Sequence, residues 1–244
     1  MFMKQKFDLS PNFSMKRNSK KSVKFVIIHY TGMQSEIESI NRLKDKNSLV
    51  SCHYLINRAG KVTLMVPENK VAWHAGKSKW KNFKDLNKYS IGIELVNKGH
   101  KFGYQNFTSL QIKRLINICK KLKKKYKIKS SNFLGHSDIA PLRKIDPGEK
   151  FPWKSLSKHN LGLWYNEKKL DYNFKLKKQI YYLFFKNLYR IGYRYFNLMK
   201  RDKKKETKII KVFQQKYLPK NVSGIIDQKT FKICHFLATS KKTS

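Results

Sequence analysis

The segment Gly135-His-Ser-Asp-Ile-Ala-Pro-Leu-Arg-Lys-Ile-Asp-Pro-Gly148 carries His136, Lys144 and Asp146 in one loop punctuated by glycine and proline. It is too irregular for a helix and too polar for a strand. Lys144 and Asp146 lie two residues apart, so in an extended segment their side chains project to the same side. An imidazole, a carboxylate and an ammonium converging on one point suggest two metal ligands with an electrostatic helper. Upstream, Lys24-Phe-Val-Ile-Ile-His29 is a short buried strand that ends on another imidazole. Ser90-Ile-Gly-Ile-Glu-Leu-Val96 is a second buried strand, with a single carboxylate, Glu94, in its middle.

A hydrolytic zinc site needs about three protein ligands and one open position for water. His29, His136 and Asp146 would supply two imidazoles and one carboxylate, for one Zn2+ per chain. A strand-end histidine is usually structural. A carboxylate inside a buried strand is costly unless it is paired or functional. Glu94 would accept the proton of the attacking water and pass it to the leaving amine. Lys144 would stabilise the oxyanion of a tetrahedral intermediate.

Further out, Ser35-x-x-Glu38 has the pattern of a capping box, with Ile37, Ile40 and Leu43 following at helical spacing. Cys52 to Asn57 and Val62 to Val66, around Arg58-Ala-Gly-Lys61, have the pattern of a β-hairpin. The stretch from Val71 to Lys88 is expected to be a long loop. Thr108-x-x-Gln111 caps a helix with Ile112, Leu115, Ile116, Cys119, Leu122 and Tyr126 on one face. Strands alternating with helices predict an α/β fold, a mixed central β-sheet flanked by helices. After about Tyr165, three helices are expected at Tyr172–Phe196, Lys208–Tyr217 and Asp227–Leu237. A lysine-rich connector occupies Lys200 to Lys205, and Asp227 is the N-cap of the last helix. The expected division is a basic arm over 1–22, a catalytic domain over 23–165 and a small three-helix domain over 166–244.

Composition narrows the classes. The 244 residues carry 55 Lys and Arg against 15 Asp and Glu, a formal charge of +40. Such a charge draws a protein towards polyanions. Yet the lysines are spread over the whole chain, and Lys, Asn, Ile, Phe and Tyr are abundant together, as an AT-biased genome produces. No recognition motif points to a specific nucleic acid. Cys52, Cys119 and Cys234 are too far apart for a thiolate zinc site or a disulfide framework. Cys52 also lacks the partners of a catalytic thiol. Neither a signal-peptide core nor a transmembrane span is visible, so a cytoplasmic monomer is expected, with the periplasm as the alternative.

The motifs Ile28-His-Tyr-Thr31, Val50-Ser-Cys-His-Tyr-Leu55, Ala72-Trp-His-Ala-Gly76 and Ser90-Ile-Gly-Ile-Glu-Leu95 share a pattern with Gly135-His-Ser-Asp-Ile-Ala-Pro141. Arg143-Lys-Ile-Asp-Pro-Gly148 and Phe151-Pro-Trp153 continue it. Together they resemble the zinc-dependent N-acetylmuramoyl-L-alanine amidases of the type-2 family, the bacterial AmpD/AmiD group, over roughly residues 22–165. The resemblance implies zinc on His29, His136 and Asp146, with Glu94 and Lys144 catalytic. It implies cleavage of the amide between N-acetylmuramic acid and L-alanine in peptidoglycan or anhydro-muropeptides. A non-catalytic peptidoglycan-recognition protein on the same fold is the alternative. Trp73, His74 and His53 lie in these motifs and are expected at the substrate groove. For His74 a structural hydrogen bond is the rival role, and for His53 a satisfied, partly buried site is the commoner fate. Val212-Phe-Gln-Gln-Lys-Tyr-Leu218 and Ser223 to Phe231 resemble the three-helix peptidoglycan-binding domain, with Ser223 where that motif has an acidic residue.

Overall fold

The computed structural model describes residues 6–14, 22–170 and 179–240. Its strands run in chain order β1 (Lys6–Phe7), β2 (Phe13–Ser14), β3 (Phe25–Tyr30), β4 (Tyr54–Ile56) and β5 (Val62–Leu64). They continue as β6 (Val71–Ala72), β7 (Lys79–Trp80), β8 (Phe83–Lys84), β9 (Ser90–Leu95) and β10 (Phe133–Gly135). The helices are α1 (Glu36–Lys44), α2 (Ser109–Tyr126), α3 (His136–Ile139) and α4 (Trp153–Ser157). α5 (Ile180–Ile191), α6 (Lys203–Tyr217) and α7 (Gln228–Thr239) close the chain. Six strands form one mixed sheet in the order β1-β5-β4-β9-β3-β10, with β4 and β5 the antiparallel pair. No described helix is long and apolar enough to cross a membrane.

Strand alternation divides the core between the two faces of this sheet. Val26, Ile28, Ile91, Ile93 and Leu95 point to one face, where Leu115, Cys119 and Leu122 of α2 cover them. Phe25, Ile27 and Leu134 point to the other, in one cluster with Phe184, Leu188, Phe213, Phe231 and Leu237 of the last three helices. α5, α6 and α7 therefore complete the hydrophobic cover of the sheet. The three thiols are buried and unpaired, and burial pushes that of Cys52 well above its ordinary range.

Thr108 and Gln111 form the expected capping box. Gln111 also donates from Nε2 to the carbonyls of Ile56 and Val96, which ties α2 to the sheet. At α1 the box is half made: Ser35 accepts from Glu38 N, but the Glu38 carboxylate accepts from Gln34 N instead of the cap residue. The expected loop from Val71 to Lys88 contains β6, β7, β8 and a 3-10 turn at Leu86–Tyr89. The segment opening at His136, expected to be irregular, begins with the single helical turn α3. Of the helix expected over Tyr172–Phe196, residues 172–178 lie outside the described residues. Its described part ends at Ile191, before Gly192 at φ 141°. α6 starts earlier than expected, inside the lysine-rich connector, because Asp202 caps it by accepting from Lys205 N. Asp227 caps α7 as expected.

One buried polar knot joins the C-terminal helices to the turn that bears His136. Asp138 accepts from Gly135 N at 2.8 Å, from Lys216 Nζ at 2.6 Å and from Tyr193 OH at 2.5 Å. Lys216 also lies over the Trp153 ring, 4.1 Å from its centroid. Lys216 and Asp138 are both almost wholly removed from water. Removing one partner of such a pair strands the other charge. Lys216→Met is expected to cost about 3–5 kcal/mol of stability. Tyr193→Phe is expected to cost about 1–3 kcal/mol. Urea unfolding of the metal-free chain measures both, and unchanged midpoints would remove this knot from the stability of the fold.

Candidate active site

Register puts the chemistry at one end of the sheet. β3 and β9 pair in parallel with His29 opposite Glu94, and β10 pairs with β3 so that Gly135 lies opposite Ile28. Adjacent parallel strands thus deliver His29, Glu94 and, one residue past β10, His136 to the same edge. Ligand sites at the carboxyl ends of parallel strands are a general outcome of such topology. On β9, Ser90, Gly92 and Glu94 alternate with the core residues Ile91, Ile93 and Leu95, and so share one face.

His29 Nδ1 and His136 Nδ1 lie 3.0 Å apart, and each is 3.1 Å from Asp146 Oδ2. All three side chains are buried. A tetrahedral ion with bonds of about 2.0–2.1 Å separates its donors by roughly 3.3 Å, so this triangle has the size of a metal-binding face. Burial first, and then the charge of His136, holds His29 down to about 4, which keeps its imidazole neutral and its lone pair available at pH 7. Against the upward push of burial, the two neighbouring imidazoles, His136 first, hold Asp146 well below the usual carboxylate range. His29 and Asp146 are therefore ready for a divalent cation without losing a proton first.

The nitrogens on the far sides of the rings explain which tautomer each adopts. His29 Nε2–H donates to His74 Nδ1 at 3.1 Å, and His74 Nε2–H donates to Ser90 Oγ at 3.1 Å. The Ser90 hydroxyl donates onward to Leu86 O at 2.6 Å. His136 Nε2–H donates to Ala75 O at 3.1 Å. Directed this way, every link is satisfied and both Nδ1 lone pairs face the triangle. Gly92 makes the relay possible: a Cβ there would lie 2.3 Å from His74 Cγ. Asn87 Oδ1 fixes the segment by accepting from His74 N and Ala75 N at 3.0 and 2.7 Å.

Glu94 is partly buried, and its sealed Oε2 has no hydrogen-bond partner among the described residues. Burial, reinforced by the charge of Asp146 and opposed by Lys144, pushes Glu94 up to about 8. Lys144 is half-buried, and its charge reaches both His29 and Glu94. Tyr30, beside His29, is pushed up to about 12 by burial and then by Asp146, and its phenol oxygen lies 2.9 Å from His100 Nδ1. The five residues expected to carry the chemistry thus come together. His53 is buried, accepts from Gly92 N at 3.0 Å and has Nε2 3.3 Å from Lys70 O. Trp73 is partly buried and donates from Nε1 to Ser14 Oγ at 2.7 Å. Sequence reasoning missed Ser90, Asn87 and Asp138. The one available signal was Gly92, a glycine inside a buried strand, which marks a close approach.

The family described as N-acetylmuramoyl-L-alanine amidase matches residues 19–149. The N-acetylmuramoyl-L-alanine amidase AmiD of Escherichia coli K12 is 33% identical over 229 residues, covering 88% of this chain and 82% of its own. The 1,6-anhydro-N-acetylmuramyl-L-alanine amidase AmpD of Haemophilus influenzae is 34% identical over 163 residues, covering 59% and 86%. Among solved structures, E. coli AmiD complexed with anhydro-N-acetylmuramic acid-L-Ala-D-gamma-Glu-L-Lys superposes with a TM-score of 0.83 at 30% identity, covering 95% of this chain and 94% of that one. AmpDH3 of Pseudomonas aeruginosa gives 0.79 at 28% identity, covering 93% and 95%. At such coverage the likeness to AmiD and AmpDH3 includes the C-terminal helices.

Two expectations follow from the relay and from Glu94. His74→Phe and Gly92→Ala should each weaken binding of a divalent cation at this triangle by about 10–100-fold, the usual effect of losing an outer partner of a metal-binding imidazole. Competition with a chromophoric chelator measures this, and full affinity in both variants would exclude the relay from metal binding. The second concerns the metal-free chain. Glu94 rises from 4.5 to about 8 on folding, so its contribution is complete below pH 4.5 and is lost as pH rises towards 8. His29 falls from 6.5 to about 4, so its contribution is complete above pH 6.5 and is lost as pH falls towards 4. The two offset each other between pH 4.5 and 6.5. Above 6.5 Glu94 acts alone, and stability should drop by about 1–2 kcal/mol by pH 8. Glu94→Gln should flatten that limb in denaturant titrations; a limb that persists would locate the proton elsewhere.

Proposed function

Because this chain belongs to the N-acetylmuramoyl-L-alanine amidase family, we propose that it hydrolyses the lactyl–L-alanine amide with a single zinc ion held by His29, His136 and Asp146. It is a hydrolase of (anhydro)muropeptide processing. The observation that carries the zinc reading is the buried donor triangle, with both Nδ1 lone pairs aimed inward. When bound, zinc lowers the pKa of water to about 7 and polarises a carbonyl.

The remaining work falls to this chain's own residues. Glu94 accepts the proton of the attacking water and returns it to the departing amine. Lys144 holds a positive charge where the oxyanion develops. His74 acts through His29, which it orients, and His53 supports β9 through Gly92. Of the three residues expected at the groove, Trp73 keeps the role of substrate contact. The substrate is anionic: γ-linked glutamate in a stem such as L-Ala-D-gamma-Glu-L-Lys keeps its α-carboxylate free. Residues 23–165 form the catalytic unit in this reading. Residues 166–244 form the C-terminal unit in this reading, and its described helices cover the sheet.

Chelation should abolish release of L-alanine-terminated peptide from an anhydromuramyl tripeptide, and zinc should restore it. Glu94→Ala should bind zinc yet lose turnover, by about 10²–10⁴-fold. Lys144→Ala should lose about 10²–10³-fold in kcat. Mass spectrometry of released peptide reads each outcome, and undiminished turnover in Glu94→Ala would remove it as the proton acceptor.

A further inference from the structure

Beside the metal centre, the β7–β8 hairpin, the chain after α5 and the start of α6 enclose a cleft of about 830 Å³. Seven cations and two carboxylates line it, together with Phe83, Tyr195 and Phe196. Both carboxylates are engaged on the α6 side, Asp202 with Lys205 at 2.7 Å and Glu206 with Arg201 at 2.8 Å. Lys79, Lys81, Lys84, Arg194 and Lys200 make up the rest of the charge. Burial, and then the nearby charges of Lys129 and Arg194, pulls Lys81 below its ordinary value.

The cleft is built rather than incidental. Lys81 sits in the left-handed region at φ 48°, and its N–H donates to Gly192 O at 2.9 Å, joining the hairpin to the end of α5. Gly192 is required there, since a Cβ would lie 2.4 Å from the Trp80 ring. One lining residue is tied to the segment that supports the metal-site triangle. Tyr195 OH donates to Lys77 O at 3.3 Å, and Arg143 Nε donates to the same oxygen at 3.1 Å. Two residues back, Ala75 O accepts from the ligand His136. The cleft is thus linked to the metal-site segment through the carbonyls of Lys77 and Ala75.

We propose that this cleft is a carboxylate-recognising subsite that holds a second stem peptide of a polymeric peptidoglycan strand while the first is cleaved. The proposal rests on the amidase reading and adds a preference for polymer over soluble muropeptide. A strand bearing a stem on each muramic acid is a polyanion with carboxylates at intervals, and a cleft with an excess of cations and aromatic surface between them complements it.

The test compares two substrates for the zinc-loaded full chain: monomeric anhydromuramyl tripeptide, and soluble uncrosslinked peptidoglycan strands with tripeptide stems. In the triple variant Lys79→Gln, Lys84→Gln, Lys200→Gln, KM for the strands should rise on the order of tenfold with kcat unchanged. Turnover of the monomer should stay within about twofold of wild type. A second triple variant, Lys120→Gln, Lys124→Gln, Lys127→Gln, removes the same charge from α2 and its C-terminal edge. It should leave both substrates unaffected. Equal loss on monomer and strand, no loss on strand, or equal loss in the α2 variant would each overturn the subsite. So would a cleft variant that loses affinity for duplex DNA while cleaving strands normally. Failure of the wild type to cleave the monomer would instead count against the amidase reading itself, so the two are separable.

Discussion

Two imidazole lone pairs and one carboxylate oxygen, held about 3 Å apart in a buried site, are the constraint around which this fold is arranged. Nothing in the metal-free chain makes that arrangement cheap. It survives because each ring is turned by a donor–acceptor chain that ends on backbone, Leu86 O for His29 and Ala75 O for His136. The sheet supplies the register and the relay supplies the orientation. Glu94, one strand over, inherits its poise from the same burial that keeps His29 neutral.

The C-terminal helices belong to this arrangement physically. Their apolar residues share one cluster with Phe25 and Ile27, on the sheet face that carries His29. Lys216 and Tyr193 hold the carboxylate of Asp138, two residues past His136. Relatives such as AmiD and AmpDH3 match over nearly the whole chain, helices included. The same helices, with the β7–β8 hairpin, bound the basic cleft. Support for the turn that bears His136 and one side of the basic cleft thus come from one structural unit.

Much of this was legible in the sequence because the signals were local. Buried strands announce themselves by apolar runs, and the polar exceptions at their ends or middles, His29 and Glu94, are conspicuous for that reason. The loop from Gly135 to Gly148 collects its functional residues within a few positions. What the sequence concealed depends on contacts between distant segments. Asp138 and Lys216 are 78 residues apart, and each alone passes for an ordinary surface charge. His74 carried a substrate role by motif, whereas its ring nitrogens face His29 and Ser90, a fact set by the path of the 71–88 segment. That segment was expected to be a loop because its strands are only two residues long, too short for periodicity to show. The start of α6 was hidden by its lysines, which resemble a linker until Asp202 is recognised as a cap.

The central claim is that His29, His136 and Asp146 form the metal site through these particular atoms. X-ray absorption at the zinc edge, joined to a crystal structure of the zinc-loaded chain with anomalous scattering, tests it most directly. The account expects one zinc per chain, bound by two imidazole Nδ1 atoms and one Asp146 oxygen at about 2.0–2.2 Å. Zinc bound elsewhere, or a coordination sphere in which Asp146 is turned away from both imidazoles, would contradict it.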